Sequence, residues 1–192
     1  EQVYVNHTQQ QPSWLENEKR RSDVRLLLMG AVLNNNASGQ DGDPMETALF
    51  NMAREAGLIP EQVRLQSPRK GEIPFDSRRK LMTTVNEIEG HDIVFVKGAV
   101  DVLLKKCTRL ANPAAGQGTG LAGQRPEAAI PCRTLSSSDR QRILDQNSRW
   151  SARGLRVLAF ACRPFNEEGK EHGNSGLAGA KAGNSQERSS LS

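Results

Sequence analysis

The chain has 192 residues, 36% of them apolar and 4% aromatic, and carries a net charge of +4. That length suits one domain with its own core, and the low apolar share assigns a sizeable part of the chain to loops and tails. The charge favours an anionic partner. The 26 lysines and arginines are, however, interleaved with 22 acids and form no basic stripe with aromatics between them, so nucleic acid is excluded as a partner.

In chain order, residues 3–5 (VYV) read as a short first strand and residues 6–20 as a polar loop. Residues 22–34 carry a helix pattern with an apolar face, ending in asparagines that do not continue it. A loop over residues 39–43 leads to a second helix, with Asp43 as N-cap, Pro44 at the first position and Glu46 three residues after the cap, as in a capping box. That helix is expected to stop at Gly57, and residues 62–66 (QVRLQ) to form an edge strand before a turn at Pro68–Gly71. Residues 80–88 are rich in β-branched side chains and residues 93–96 (IVFV) are continuously apolar, which predicts a hairpin turning at Glu89–Asp92. A helix follows to about residue 108, then a Gly/Ala/Pro-rich surface insert over residues 111–133. Ser136–Asp139 should cap a helix that runs to Ala152 and stops at Gly154, and residues 155–162 read as a buried strand. The elements do not alternate as βαβ units, so the fold class is α+β, a mostly antiparallel β-sheet flanked by helices. Residues 1–165 form the domain and residues 166–192 a flexible linker or tail.

Several chemistries find no support in these residues. Cys107, Cys132 and Cys162 are odd in number and lack C-x-x-C spacing, so they read as reduced thiols. His7, His91 and His172 fall in loops or turns and read as exposed. The G-x-G-x-x-G string at Gly118–Gly123 lacks the strand and helix that a dinucleotide loop requires. The longest apolar run, Leu26–Leu33, is too short to span a membrane, and no segment reads as a signal peptide. No catalytic or metal-binding residue is assigned. Singly, Phe75 reads as core, Glu46 as a cap, Lys80 and Lys97 as strand-end charges facing water, and Arg156 as the flank of a strand. Together, an aromatic face beside two lysines on one rigid element suits a purine nucleotide, with stacking for the base and counter-charge for the phosphates.

Four strings strengthen that reading: GDPMETAL (42–49), FDSRRKLM (75–82), VKGAVD (96–101) and RGLRVLAFA (153–161). In this order they resemble the nucleotide-binding domain of cation-transporting P-type ATPases, in particular the calcium-pump-like branch. The resemblance implies an ATP site in which Phe75 stacks on adenine, Glu46 accepts from its amino group and Lys97 forms the floor, with Gly98 allowing close backbone approach. It further implies that Lys80 lies beside the nucleotide, Met82 lines the pocket, Arg156 reaches the phosphates and Leu158 packs near the ribose and base. Ser77 stands where many calcium pumps carry an arginine, Val100 replaces the usual proline of K-G-A-P and Met45 a small polar residue, so Ser77 is the least secured of the contacts.

The same resemblance implies an ATP-binding, monomeric cytoplasmic domain of an integral membrane protein, with no membrane contact of its own. Its partners would be ATP and the phosphorylation and actuator domains of the same polypeptide. These residues contain no D-K-T-G-T string and no acidic pair for magnesium, so Mg2+ is expected only in the intact pump. The chain itself is expected to bind ATP without hydrolysing it. The alternatives are a binding or adaptor domain that keeps the fold without the nucleotide, or a free-standing phosphotransferase.

Overall fold

A computed structural model describes residues 2–19, 21–37, 43–111 and 132–165. The chain opens with a small hairpin, β1 (Val3–Val5) and β2 (Thr8–Gln10), followed by α1 (Trp14–Glu18), α2 (Ser22–Leu33), α3 (Pro44–Glu55) and α4 (Pro60–Gln66). A three-strand meander follows, β3 (Arg69–Asp76), β4 (Leu81–Ile88) and β5 (His91–Gly98). Then come α5 (Val100–Lys106), the short pair β6 (Arg109–Ala111) and β7 (Cys132–Thr134), α6 (Ser137–Ala152) and β8 (Ala159–Pro164). The main sheet is antiparallel with strand order β3-β4-β5-β8, so the fold is α+β as expected.

The meander turns over two residues, Glu89 and Gly90, both with positive φ (50° and 81°), as a tight hairpin requires. The turn expected over four residues is shorter because His91 and Asp92 already pair with Ile88 and Glu87. β4 and β5 are interior strands and are buried on both faces along most of their length. This is why residues 93–96 of β5 read as a continuous rather than an alternating apolar run.

The core has two centres. One gathers Leu15, Val24, Leu28 and Val32 with Phe50 and Ala53, where α2 and α3 close over the N-terminal hairpin. The other joins Met29 and Leu33 of α2 to Ile88, Ile93 and Phe95 of the sheet. α2 is shared by both and is apolar round most of its circumference, with eight of its residues buried.

Several expectations need correction. Residues 62–66 are not an edge strand but the body of α4, which starts with Pro60 at its first turn, where the missing N–H costs nothing. The proposed turn at Pro68–Gly71 is instead the start of β3. The polar stretch 6–20 holds β2 and α1. The strand expected at 155–162 begins at Ala159, and it is a half-buried edge strand rather than a buried one. The insert expected at 111–133 contributes Ala111 to β6 and residues 132–133 to β7; its remainder, the linker at 166–192 and the Gly118–Gly123 string lie outside the described residues.

His7 is not an exposed histidine. It turns the first hairpin with φ 64°, and its Nε2 donates to Asp139 Oδ1 at 2.7 Å. Asp139 is also the partner of Arg133 (2.6 and 2.9 Å) and completes the capping box of α6 with Ser136. Hydrogen bonds from Arg133 first, then from Ser136, with a smaller contribution from His7, hold the Asp139 carboxyl well below its usual 3.8. A depressed folded-state pKa contributes stability that is fully present above the unfolded value and is lost as pH falls through the folded value. An Asp139→Asn variant should therefore lose less of its Tm than the parent between about pH 4 and pH 2. Parallel slopes in thermal melts would contradict this.

At the far end of the meander Gly98 lies against β4. A Cβ there would stand 2.1 Å from the Lys80 carbonyl oxygen and 2.8 Å from Leu81 Cδ2. The obstruction is backbone and cannot step aside. Gly98→Ala is expected to cost about 1–3 kcal/mol, measured as a fall in the denaturant midpoint at unchanged slope.

Candidate functional site

The four motif strings lie at the ends of different strands, and the antiparallel order brings those ends together. The C-terminal ends of β3 and β5 and the N-terminal ends of β4 and β8 share one edge of the sheet. Across that edge Asp76 pairs with Leu81, Leu81 with Gly98, and Gly98 with Ala159. Three strand spacings make it about 14 Å wide.

Phe75 lies on β3 inside a register irregularity between the Ile73 and Asp76 pairs, and the residue is 61% exposed. A large exposed ring beside a bulge, which re-aims side chains, is not the core residue that composition alone suggests. Phe75 therefore belongs to the strand before the predicted hairpin.

Ser77–Lys80 is a turn. Asp76 Oδ1 accepts from the backbone N–H groups of Arg78 (2.6 Å) and Arg79 (3.0 Å), and Asp76 O accepts from Lys80 N. Those amides hold the Asp76 carboxyl below its ordinary value, Arg79 N–H contributing most. Ser77 and Lys80 are exposed, and the Lys80 side chain makes no ion pair among the described residues. Lys80 adopts φ 55°, and its carbonyl receives Ala99 N–H at 3.1 Å. The turn is thus tied to the Lys97–Gly98–Ala99 string.

Lys97 is not a strand-end charge facing water. Its side chain is 7% exposed, and Nζ lies 2.6 Å from Glu46 Oε1, whose side chain is 19% exposed. Met82 is its cross-strand partner and is 1% exposed. Glu46 therefore does not close a capping box on α3. Asp43 caps that helix by accepting from Met45 N, while the Glu46 carboxylate turns toward Lys97 and takes the Asn36 N–H at 3.1 Å. A carboxylate beside a buried ammonium is worth more to the fold there than at a helix end, because an unpaired buried charge costs several kcal/mol.

Arg156 is exposed and Leu158 half-buried, in the approach to β8. Both line a largely apolar cavity of about 810 Å³, with Leu103, Trp150 and Phe160 among its walls, which touches none of Glu46, Phe75, Lys80, Met82 or Lys97. The structure thus joins Lys97 to Glu46 and to Met82, ties Lys80 and Gly98 to them through the backbone, and places Phe75 on β3 next to the last pair of that sheet edge; Arg156 precedes β8 and lines the separate cavity.

Residues that sequence reasoning passed over hold this arrangement. The α2 C-terminus leaves carbonyls without helical partners. Arg64 donates to the carbonyls of Val32 (3.2 Å), Asn35 (2.6 Å) and Ala37 (2.8 Å), and Arg69 to those of Leu33 and Asn35 (both 2.7 Å). Burial, and then the neighbouring Arg69, push the Arg64 pKa down, while its guanidinium also stacks 4.5 Å from the Phe50 ring. The available signal was three successive asparagines at the end of an apolar helix, since Asn side chains bond backbone where helices end.

The Cys162 thiol is pushed up to about 12 by burial, and burial raises Cys107. Among the described residues no three His, Cys, Asp or Glu gather as a metal set, and no helix is long and apolar enough to cross a membrane.

Residues 23–189 match the family described as P-type ATPase, cytoplasmic domain N. The chain is 35% identical over 156 residues to calcium-transporting ATPase 1 of Lactococcus lactis, covering 79% of this chain and 16% of that protein. It is 34% identical over 157 residues to calcium-transporting ATPase 1 of Bacillus cereus, with coverage of 79% and 16%. A probable cation-transporting ATPase F of Mycobacterium tuberculosis is 33% identical over 140 residues, with coverage of 69% and 14%. The chain spans about 16% of the length of the first of these relatives. On the family match and these identities, the chain belongs to the P-type ATPase cytoplasmic N-domain family.

Proposed function

We propose that residues 1–165 form an ATP-binding domain of a cation-transporting pump, of calcium type by its relatives, on the cytoplasmic side of an integral membrane protein. The observation that carries the reading is the shared sheet edge, where the exposed Phe75 and Lys80 of one string meet a Lys97–Glu46 pair from two others. Phe75 stacks on the adenine, Glu46 accepts from its amino group and Lys97 supports the ring over Gly98. Met82 and Leu158 supply apolar contact, and Lys80 and Arg156 meet the phosphates, with Ser77 at the margin.

The chain's contribution to catalysis is positioning. In the intact pump the bound γ-phosphate would pass to an aspartate on the phosphorylation domain, and the resulting aspartyl-phosphate would drive cation movement with the actuator domain. Mg2+ would enter with that neighbouring centre. The domain acts as a monomer.

One stacked base contributes about 1–3 kcal/mol, and exposed charge contacts add little after the cost of lost motion. A total of no more than about 4 kcal/mol corresponds to an affinity of about millimolar or weaker. Titration of the chain with ATP, followed by backbone amide shifts, should move resonances around Phe75, Lys80 and Lys97, with or without Mg2+. Phe75→Ala should weaken binding by about 5- to 150-fold. Equal binding by the variant would remove the stacking role, and no shift at all would favour an adaptor that keeps the fold without the nucleotide. The purified chain should release no phosphate from ATP. Turnover would point to the phosphotransferase instead.

A further inference from the structure

The asparagines that follow α2 each have a separate partner. Asn34 is fully buried, and its Nδ2 donates to the Phe95 carbonyl at 2.7 Å and the Met82 carbonyl at 3.3 Å, pinning the helix end to β5 and β4. Asn35, also fully buried, donates through Nδ2 to the carbonyls of Ala31 (3.0 Å) and Glu46 (2.8 Å), and its Oδ1 accepts from Ala37 N at 2.8 Å. Asn36 is the exposed one. Its backbone N–H donates to Glu46 Oε2, while its side chain bridges Glu72 Oε1 (2.8 Å) and Arg69 Nη1 (2.5 Å). Arg69 in turn donates to Glu72 Oε2 at 2.7 Å.

The terminal torsion of a glutamate is broad, so nothing within Glu46 sets the plane of its carboxylate. Two donors set it here, Lys97 on Oε1 and the Asn36 N–H on Oε2. We infer that Asn36, braced by Arg69, is a positioning residue that orients the Glu46 carboxylate and so selects a 6-aminopurine over a 6-oxopurine nucleotide; this rests on the ATP-binding reading. A carboxylate only accepts, so once its plane is fixed the open lone pairs of Glu46 demand a donor from the ligand. The exocyclic amino group of adenine is a donor, whereas O6 of guanine is an acceptor and would set lone pair against lone pair. If the brace is released, the carboxylate can turn away and the penalty on guanine falls.

Two measurements on the 192-residue chain test this. The first needs no nucleotide. Glu46→Gln should shift the Asn36 backbone amide resonance upfield in the parent, and the same change made in an Arg69→Gln background should leave it nearly still. The second is the ratio of GTP to ATP dissociation constants, which should fall by about tenfold in both Arg69→Gln and Asn36→Ala, the equivalent of one directional hydrogen bond. A merely structural role would lower Tm and weaken both nucleotides alike, leaving the ratio unchanged, and that result overturns the inference. If Arg69→Gln does not fold, Asn36→Ala, which alters only exposed groups, carries both comparisons. If the parent binds neither nucleotide, the ATP-binding reading fails separately, and an Asn36 amide indifferent to Glu46→Gln then overturns the positioning role alone.

Discussion

A buried ammonium is the constraint from which the rest of this arrangement follows. Lys97 is the next-to-last residue of an interior strand, with its side chain nearly closed off from water. A charge in that position is tolerable only with a close counter-charge and further hydrogen bonds; left alone it would cost about 3–5 kcal/mol. Its partner, Glu46, is 51 residues earlier, so the first turn of α3 must dock over the end of β5. The loop between α2 and α3 carries the burden of that docking. Asn34 fastens it to the sheet and Asn35 fastens it to α3, while two arginines close the carbonyls that the end of α2 exposes.

The second constraint is steric. The meander closes tightly where the Lys80 carbonyl meets the Gly98–Ala99 backbone, and no side chain fits at Gly98. That closure sets the distance between the turn carrying Lys80 and the strand carrying Lys97. β3 and β4 resume pairing at Asp76 after a register shift that begins at Ile73, so Phe75 projects from an irregular step of the ladder. An exposed ring on a short rigid strand has little freedom to lose on binding, which suits stacking against a planar partner. This end of the sheet holds an exposed ring, an exposed lysine and a carboxylate paired with a buried lysine.

The motifs with a local physical cause were legible from the residues. Asp43 and Pro44 start α3, Ser136 and Asp139 build a complete capping box, and Glu89–Gly90 supplies the positive φ pair of a hairpin. Such signals depend only on residues within one turn of each other. QVRLQ in α4 is too short for periodicity to separate helix from strand, and Pro60 at its start is the local signal for the helix. His7 reads as exposed from the sequence because its partner, Asp139, is 132 residues away.

The sequence by itself determined the α+β class, the order of the motifs and the identities of the groups at the sheet edge, because local propensity and short spacings carry that information. Only the tertiary structure decided that Lys97 is buried rather than solvated, that Glu46 pairs with Lys97 and the Asn36 N–H and not with its own helix, and that Arg64 and Arg69 close the carbonyls after α2. Each of these depends on which backbone carbonyls and charges are brought together across tens of residues. Burial and pairing at that range are set by packing, and no spacing along the chain encodes them.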